Sequence, residues 1–411
     1  MTPAVLTAQT EARGEYTTLT LISSAHLVSH IYMLVFVPIL ADLKTLLGVS
    51  YSELALAFTV MNVVSALTQA PTGFLVDRVG ARSLLVAGLT LGGMAYMAVG
   101  IWPSYPMLLA AAAAIGLANA VYHPADYSIL SAEMSARRMG RAYAIHSFTG
   151  YLGFAIAPPV VYAAAHFLGG PRGALILCGL IGPLMTLPLL PGCRGERSGA
   201  KTPASKGAAP VHSALSLLTP TVLLLTLMYT TLNLSTGILQ TYMIVALEDL
   251  HHLTKEEAGL ALTLFLIAIV AGVLAGGFLA DRAQRQSLIT SGALAVAAVL
   301  AGLVGAFAPG AVMALVLMTL IGFAAGIIVP SRDLLTRNAS PPGAAGRVFG
   351  IVTTGFNFGG MTGPILGAWF IDQHAPQWIF YVSAVFMAAT IILAIMADTN
   401  GRAIAAAGEP V

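Results

Sequence analysis

Long apolar segments alternate with short polar loops along most of the chain. A helix needs about 20 apolar residues to cross a bilayer, and the pattern predicts twelve such helices. We place them at 17–40, 52–76, 83–102, 106–130, 142–168, 172–190, 215–246, 257–280, 287–308, 311–336, 347–372 and 376–397. The polar stretch after the sixth helix has no hydrophobic periodicity. It predicts a linker at 191–214 between two six-helix halves, 1–190 and 215–411.

One charged loop, between the second and third predicted helices, recurs in the second half. The stretch from Gly73 to Leu85 matches the stretch from Gly277 to Leu288, 204 positions later. Further matches, at an offset of 206, are Gly116 with Gly322, Pro124 with Pro330, Gly153 with Gly359 and Pro158 with Pro364. A repeat of half the chain predicts an all-α membrane protein of two pseudo-symmetric six-helix bundles, with substrate bound between them near the midplane.

Composition and charge indicate a membrane protein and its orientation. The chain is 57% hydrophobic and 9% charged, whereas soluble domains carry about 25% charged residues. A net charge of +2 gives no reason to expect nucleic acid as a partner, and Cys178 and Cys193 lack disulfide-framework or metal-type spacing. Of the 19 Lys and Arg residues, 16 fall on one side of the predicted topology, which places both termini and the linker in the cytoplasm. We expect no cleaved signal peptide.

The charged loop carries a family resemblance. Its pattern, Gly-x-Leu-x-Asp-Arg-x-Gly-x-Arg, resembles the signature loop of the major facilitator superfamily, and the second copy lacks the central glycine. The resemblance implies a twelve-helix solute transporter in which this loop latches helices of the two halves together. The alternative is a loop that only fixes orientation by its positive charge. The latch residues are then Gly73, Asp77, Arg78, Gly80 and Arg82, with Asp281 and Arg282 in the second copy.

Charged residues inside predicted helices are candidates for function, because a central charge costs about 2.5–3.5 kcal/mol to insert. Asp126 lies in the cytoplasmic third of the fourth predicted helix, and the repeat offset pairs it with Arg332 of the tenth. We predict that these two side chains form a cytoplasmic gate, with Asp333 competing for Arg332. The alternative is that both side chains reach water near a helix end.

Histidines form the second candidate group. His26 and His30 lie one turn apart on the first predicted helix and share a face, and His123 lies three residues before Asp126. Histidine titrates near neutral pH, so we predict a substrate or proton site, with plain polar packing and metal binding as alternatives. We expect no metal, because zinc usually has four ligands and nothing in the sequence completes the set. The predicted site comprises His26, His30, Tyr122, His123, His146, Asn233, Gln240 and Asn357.

One branch of the superfamily is a closer match. The runs Ser24-Ala25-His26-Leu27, Tyr122-His123-Pro124-Ala125 and Gly140-Arg141-Ala142 are similar to the fosmidomycin-resistance branch, which exports a small phosphonate drug. The resemblance implies a related exporter. It does not identify the solute of this chain.

These observations favour a secondary active transporter of the cytoplasmic (inner) membrane, without a cofactor. The chain has no Gly-x-x-x-x-Gly-Lys-Ser/Thr loop for ATP, so an ion gradient, most simply of protons, would drive transport. We expect efflux of a small polar or anionic organic solute by a monomer that contacts lipid. The alternatives are an uptake permease for a carboxylate or vitamin, and a non-transporting membrane sensor. No nucleophile or cofactor motif favours an enzyme.

Overall fold

The computed structural model describes residues 3–135, 137–193, 217–307, 310–341 and 345–407, so most of the predicted linker (194–214) lies outside the described residues. Within these ranges the regular structure is helical and no strand occurs. The helices are α1 (Pro3–Leu34), α2 (Leu40–Leu47), α3 (Tyr51–Val79), α4 (Ala81–Ile101), α5 (Tyr105–Glu133), α6 (Met139–Phe167), α7 (Pro171–Thr186), α8 (Leu190–Cys193), α9 (Pro220–His251), α10 (Lys255–Arg282), α11 (Gln286–Ala306), α12 (Ala311–Asn338), α13 (Ala345–Asp372) and α14 (Gln377–Ala407). Apart from the short α2 and α8, they correspond one to one with the twelve predicted helices.

The first predicted helix differs most from the structure. It was expected to continue to residue 40, but α1 ends at Leu34 and the separate helix α2 begins at Leu40. Pro38 explains the break, because proline has no N–H to donate and disfavours the helical conformation of the residue before it. Gly48 then ends α2 in the left-handed conformation, with φ +65°.

Several helices begin at a residue whose side chain caps them. Ser104 accepts a hydrogen bond from the backbone N–H of Met107 at the start of α5. Thr219 does the same for α9, and Thr254 forms a reciprocal capping box with Glu257 at the start of α10. These caps satisfy N–H groups that have no partner inside the helix, and they fix where each helix begins.

Nine helices within the described residues are long and apolar enough to cross a membrane. They include α9, α10, α12 and α14, whereas α7 is apolar but has 16 residues. The chain is therefore a multi-pass membrane protein.

The chain forms two compact units. The first comprises Met1–Gly48 and Val63–Ala204, and the second comprises Val49–Asn62 and Ser205–Val411. The first three turns of α3 belong to the second unit. Hydrogen bonds to α13 hold that segment there, and among them Asp372 accepts from the backbone N–H groups of Tyr51 (3.1 Å) and Ser52 (2.8 Å) at the start of α3. The division into halves at 191–214 remains a prediction.

Glycines let neighbouring helices pack closely inside each unit. In the second unit, a Cβ atom on Gly272 of α10 would collide with the backbone of Phe323 on α12, and one on Gly326 of α12 would collide with Ile269. In the first unit, Gly93 of α4 lies in the same way against Gly179 of α7. Small residues at these contacts are the usual means by which membrane helices approach one another, since lipid provides no hydrophobic drive between them.

Candidate functional site

Five ionisable side chains converge inside the first unit, and we call them the histidine cluster: His26 and His30 from α1, His123 and Asp126 from α5, and His146 from α6. The spacings of four residues on α1 and three on α5 put each pair on one helix face. The sequence predicts both pairs. The structure adds that the two faces meet, that α6 supplies a fifth group, and that Asp126 is part of this cluster.

Asp126 lies at the centre of the contacts. Its Oδ2 atom is 3.2 Å from Nδ1 of His26 and 3.7 Å from Nε2 of His146. The imidazole rings of these two histidines stack, with centroids 3.8 Å apart and planes at 22°. The three side chains therefore form one compact polar group contributed by three helices.

The remaining rings surround this group. The His30 ring lies 4.4 Å from that of His26 and packs edge-on against Phe154 of α6, also at 4.4 Å. His123 stacks on Tyr127 of α5 at 5.9 Å. Because Tyr127 is 42% exposed while Asp126 is fully buried, this tyrosine lies at an open edge of the cluster.

The cluster is buried, and most of its polar atoms make no hydrogen bond. His26 is 3% exposed, and Asp126 and His146 are 0% exposed. No described residue forms a hydrogen bond with either carboxylate oxygen of Asp126, with either ring nitrogen of His30 or His146, or with Nδ1 of His26 or His123. A buried polar group without a hydrogen bond costs about 1–3 kcal/mol, so a set of them is expected only where they serve a function.

Glycines of α6 make room for the rings. A Cβ atom on Gly150 would lie 2.7 Å from Nε2 of His26 and 3.0 Å from Cε1 of His30, which is too close for both. A Cβ atom on Gly153 would lie 2.9 Å from Cβ of His30 and would also meet the backbone of Leu27. The approach of α1 to α6, and with it the cluster, depends on these two positions.

Three of the histidines also meet a first requirement for metal binding. One ligand atom from each of His26, His123 and His146 lies within 4.8 Å of the other two. With Asp126 beside them, four possible ligands come together. The sequence analysis found only the two histidines of α1 as a potential pair, because the convergence of α5 and α6 on α1 is not visible in the sequence.

The second unit holds a different polar group at the equivalent position. The guanidinium of Arg332 lies 4.9 Å from the ring centre of Tyr229 and 5.1 Å from that of Phe356. Its Nε is 3.0 Å from Oδ1 of Asp333, and the same oxygen accepts the hydroxyl of Tyr229 at 3.0 Å. The arginine side chain is 11% exposed and the aspartate side chain 45%. Arg332 thus has a carboxylate and two aromatic rings as neighbours within its own unit.

The repeat relates these two arrangements. The offset of 206 pairs Asp126 with Arg332 and Gly150 with Phe356. In the first unit the glycine leaves space for imidazole rings, whereas in the second unit a phenyl ring fills that space and the arginine stacks on it. The predicted gate between Asp126 and Arg332 remains a prediction, since the structure reports the partners of each within its own unit.

Two of the other predicted site residues, Tyr122 and Asn233, make hydrogen bonds to neighbouring helices of their own units. The hydroxyl of Tyr122 donates to the carbonyl of Gly88 on α4 at 3.2 Å, so this side chain joins α5 to α4. Asn233 of α9 donates to the carbonyl of Phe356 on α13. Gln240 and Asn357 are half-buried on α9 and α13.

The signature loop is a tight corner between α3 and α4. Gly80 has φ +100° and ψ 137°, a conformation that is open essentially only to glycine, which explains the central glycine of the motif. Gly73 lies within α3, Arg78 is exposed, and the side chain of Asp77 lies outside the described part of the structure. In the second copy Asp281 and Arg282 are exposed at the end of α10. There Ala283 is extended, with φ −85°, and Gln286 donates to the carbonyl of Ala280, so this corner needs no glycine.

A polar network that the sequence analysis missed joins α4 to helices α1 and α5. Arg82, in the first turn of α4, donates to Glu133 at the end of α5 at 2.6 Å. Thr18 of α1 donates to the same carboxylate oxygen at 2.7 Å. Arg82, a predicted latch residue, is therefore held within the first unit.

A second pair lies about one turn before Thr18 on α1. Arg138 donates to Glu15 at 2.8 Å, and Ser135 also donates to this carboxylate. The hydrogen bond from Arg138 holds the pKa of the Glu15 carboxyl below its ordinary value of 4.5. This pair fixes the loop before α6 to the first half of α1.

Comparison with known proteins agrees with this architecture. The family model of the Major Facilitator Superfamily matches residues 22–254 and 225–408. The chain is 25% identical over 367 residues to an uncharacterised MFS-type transporter of Bacillus subtilis (strain 168), with 86% of both chains covered. It is 23% identical over 398 residues to the fosmidomycin resistance protein of Escherichia coli (strain K12), with 95% of both covered. A 150-residue match, at 29% identity, covers 36% of this chain and 27% of a multidrug resistance protein B homolog of Mycobacterium tuberculosis.

The fold is also that of a solved transporter. A bacterial homolog of the human lysosomal transporter Spinster, in an inward-facing and occupied conformation, matches with a TM-score of 0.77 at 14% identity. The match covers 92% of this chain and 96% of the other. The resemblance seen in the signature loop is thereby confirmed, and with it a transporter rather than an enzyme. The chain belongs to the Major Facilitator Superfamily.

Proposed function

We propose that this transporter exports a small polar or anionic organic solute in exchange for protons, by alternating access of its two halves. The observation that carries the proposal is the buried histidine cluster. An aspartate and four histidines among transmembrane helices are costly, and such groups usually form a solute or proton pathway. Asp126, His26, His30 and His123 are the proposed proton carriers.

The direction of transport rests on relatives. A protein named for fosmidomycin resistance and one named for multidrug resistance are both similar to this chain, and resistance by a transporter of this kind follows from efflux. The first of these relatives matches over nearly its full length. An anionic solute is favoured because the second unit presents Arg332 at the repeat-related position.

The gate and the latch remain parts of the proposal. Asp126 and Arg332 would pair when the cytoplasmic entrance closes, and Asp333 would hold Arg332 when it opens. The Asp333 contact at 3.0 Å supports the second half of this cycle. The latch would comprise the signature loop and its second copy, with Gly80 and Arg82 at its rigid corner.

We place the protein in the cytoplasmic membrane as a monomer, with both termini inside. The distribution of Lys and Arg supports this orientation. Single cysteines introduced at exposed positions, such as Arg285 and Gln373, would be labelled from opposite sides by an impermeant reagent. Labelling of both from the same side would contradict the topology.

The test of the function is solute-driven proton movement. Purified protein in vesicles would be challenged with a panel of phosphonates, carboxylates and vitamins while internal pH is recorded. We expect one class to drive proton flux, and we expect Asp126→Asn to abolish it. Solute flux that ignores an imposed pH gradient would rule out proton coupling.

A further inference from the structure

We propose that His26, His123, His146 and Asp126 bind one divalent transition-metal ion of the Zn²⁺ type. Three transmembrane helices of the first unit, α1, α5 and α6, contribute these ligands. The inference depends only on the positions of ligand atoms and not on the direction of flux. Because a ligand has to be deprotonated to bind a metal, the ion and protons would compete for Asp126, His26 and His123.

The distances agree with tetrahedral coordination. Zn–N and Zn–O bonds are about 2.0–2.2 Å long, so neighbouring ligand atoms around the ion should be about 3.4 Å apart. The Asp126 oxygen lies 3.2 Å from the His26 nitrogen and 3.7 Å from the His146 nitrogen. Two edges of the tetrahedron are therefore already close to the required length.

His123 supplies the fourth ligand after a small adjustment. Its ligand atom lies within 4.8 Å of those of His26 and His146, so each of these two gaps has to close by at most about 1.4 Å to reach the tetrahedral value. Its side chain is half-buried, and its ring contacts the exposed Tyr127 at the open edge of the cluster. A rotation of this ring is therefore the simplest way to complete the site.

The missing hydrogen bonds of these ligand atoms also support metal binding. The Asp126 oxygens, both His146 nitrogens and Nδ1 of His26 and His123 have no hydrogen bond to any described residue, although the Asp126 and His146 side chains are fully buried. The His26 and His146 rings stack at 22°, so they would have to splay apart until both nitrogen lone pairs point at the ion. Metal coordination would satisfy all four ligands at once.

The donor set selects the metal. Imidazole suits Zn²⁺, Co²⁺ and Ni²⁺, whereas Mg²⁺ and Ca²⁺ take oxygen ligands. Neither cysteine is among the ligands, and the softer ions that prefer thiolates are therefore not favoured. A near-tetrahedral set of three nitrogens and one oxygen fits Zn²⁺ best.

Metal binding would also change what the site attracts. A divalent ion with one carboxylate ligand keeps a net charge of +1, which favours an anion as the next neighbour. This consequence rests on the proposed function, since it explains how an anionic solute can bind beside Asp126. Metal binding itself does not rest on it.

The experiment is Co²⁺ titration of the full-length protein, purified in detergent through a tag without histidine and stripped of metal with a chelator. Tetrahedral Co²⁺ absorbs visible light far more strongly than octahedral Co²⁺. We expect a strong visible band that saturates at one ion per chain, is displaced by Zn²⁺, and persists in excess Mg²⁺. Weak octahedral absorption alone, or saturation only at many ions per chain, would overturn the proposal.

Substitution of the proposed ligands tests whether the Co²⁺ band arises from this site. We expect Asp126→Asn, His26→Gln and His146→Gln each to weaken Co²⁺ binding at least about tenfold. His166→Gln is the matched control, because His166 is exposed at the end of α6, and it should bind as the wild type does. An unchanged affinity in all three ligand variants would identify the ion as adventitious and refute the site.

A further variant tests the site while keeping all four ligand side chains. Gly150→Ala keeps every ligand but places a Cβ atom 2.7 Å from Nε2 of His26, so it should displace that ring and weaken Co²⁺ binding about tenfold. Thermal unfolding and size-exclusion profiles should match the wild type in any variant that is interpreted. Because these measurements use no gradient, a failure of metal binding is distinguishable from a failure of proton coupling.

Discussion

The Nδ1 atom of His26 lies 3.2 Å from the Oδ2 atom of Asp126, yet both side chains are buried and the two atoms form no hydrogen bond. Helices α1 and α5 hold these groups together inside the membrane-spanning part of the first unit. Their closeness places the carboxylate in the histidine cluster and makes Asp126 the residue on which the proposed activity depends most.

Replacing Asp126 should therefore be the most damaging single change. Asparagine has nearly the same shape, so Asp126→Asn removes the charge while keeping the volume. We expect solute flux in vesicles to fall about tenfold or more, and the remaining flux to lose its response to the pH gradient. Asp249→Asn, at an exposed position near the end of α9, is the control and should transport normally. Wild-type coupling in Asp126→Asn would remove this residue from the pathway.

Arg332 should not be replaceable by lysine. Lysine keeps the positive charge but lacks the planar group that stacks on Tyr229 and Phe356. We expect Arg332→Lys to transport more slowly than wild type, and Arg332→Gln to be slower still. Arg337→Lys changes an exposed arginine on the same helix and should have no effect. Equal rates for Arg332→Lys and wild type would mean that charge alone matters here.

The corner between α3 and α4 predicts a stability effect. Gly80→Ala puts a side chain on a residue with φ +100°, at a cost of about 1–3 kcal/mol. We expect a lower midpoint of thermal unfolding in detergent. Gly277→Ala is the comparison, because Gly277 is helical and a Cβ atom there meets nothing within 4 Å. If both variants unfold at the same temperature, the strain at Gly80 has no measurable consequence.

The Glu15–Arg138 pair predicts a pH dependence. Its hydrogen bond lowers the pKa of Glu15 in the folded protein, so the stabilisation is complete above the ordinary value of 4.5 and is lost as pH falls through the lowered pKa. Glu15→Gln should therefore unfold at a slightly lower temperature than wild type at pH 7, and the difference should vanish in acid. The effect is small, because the pair is partly exposed to solvent. Glu256→Gln, on an exposed turn of α10, should show no such trend.

Much of this molecule could be predicted from its sequence, because membrane helices leave a strong apolar signal. Twelve long helices, the repeat and the family follow from it, and so does the common face of His26 and His30. The apolar signal does not show which helix faces pack against one another. His146 reaches Asp126 only because Gly150 lets α6 approach α1 closely. The sequence does not show which helix a glycine in an apolar segment packs against.

The break in the first helix has a different cause. The sequence contains Pro38, but the segment around it is as apolar as its neighbours. Hydropathy therefore does not predict that the helix ends at Leu34. Here backbone chemistry, not burial, decided where the helix ends. Network contacts such as Thr18 with Glu133 were missed because they join residues far apart in the chain.

The contact of Asp372 with the start of α3 has a consequence for how the protein is made. The backbone N–H groups of Tyr51 and Ser52 receive their carboxylate partner from a residue that is synthesised more than 300 positions later. Until translation reaches α13, the start of α3 has only its local cap, in which Ser50 and Glu53 exchange hydrogen bonds. Tyr51 and Ser52 therefore reach their final partner only once the polypeptide of the second unit has been synthesised as far as Asp372.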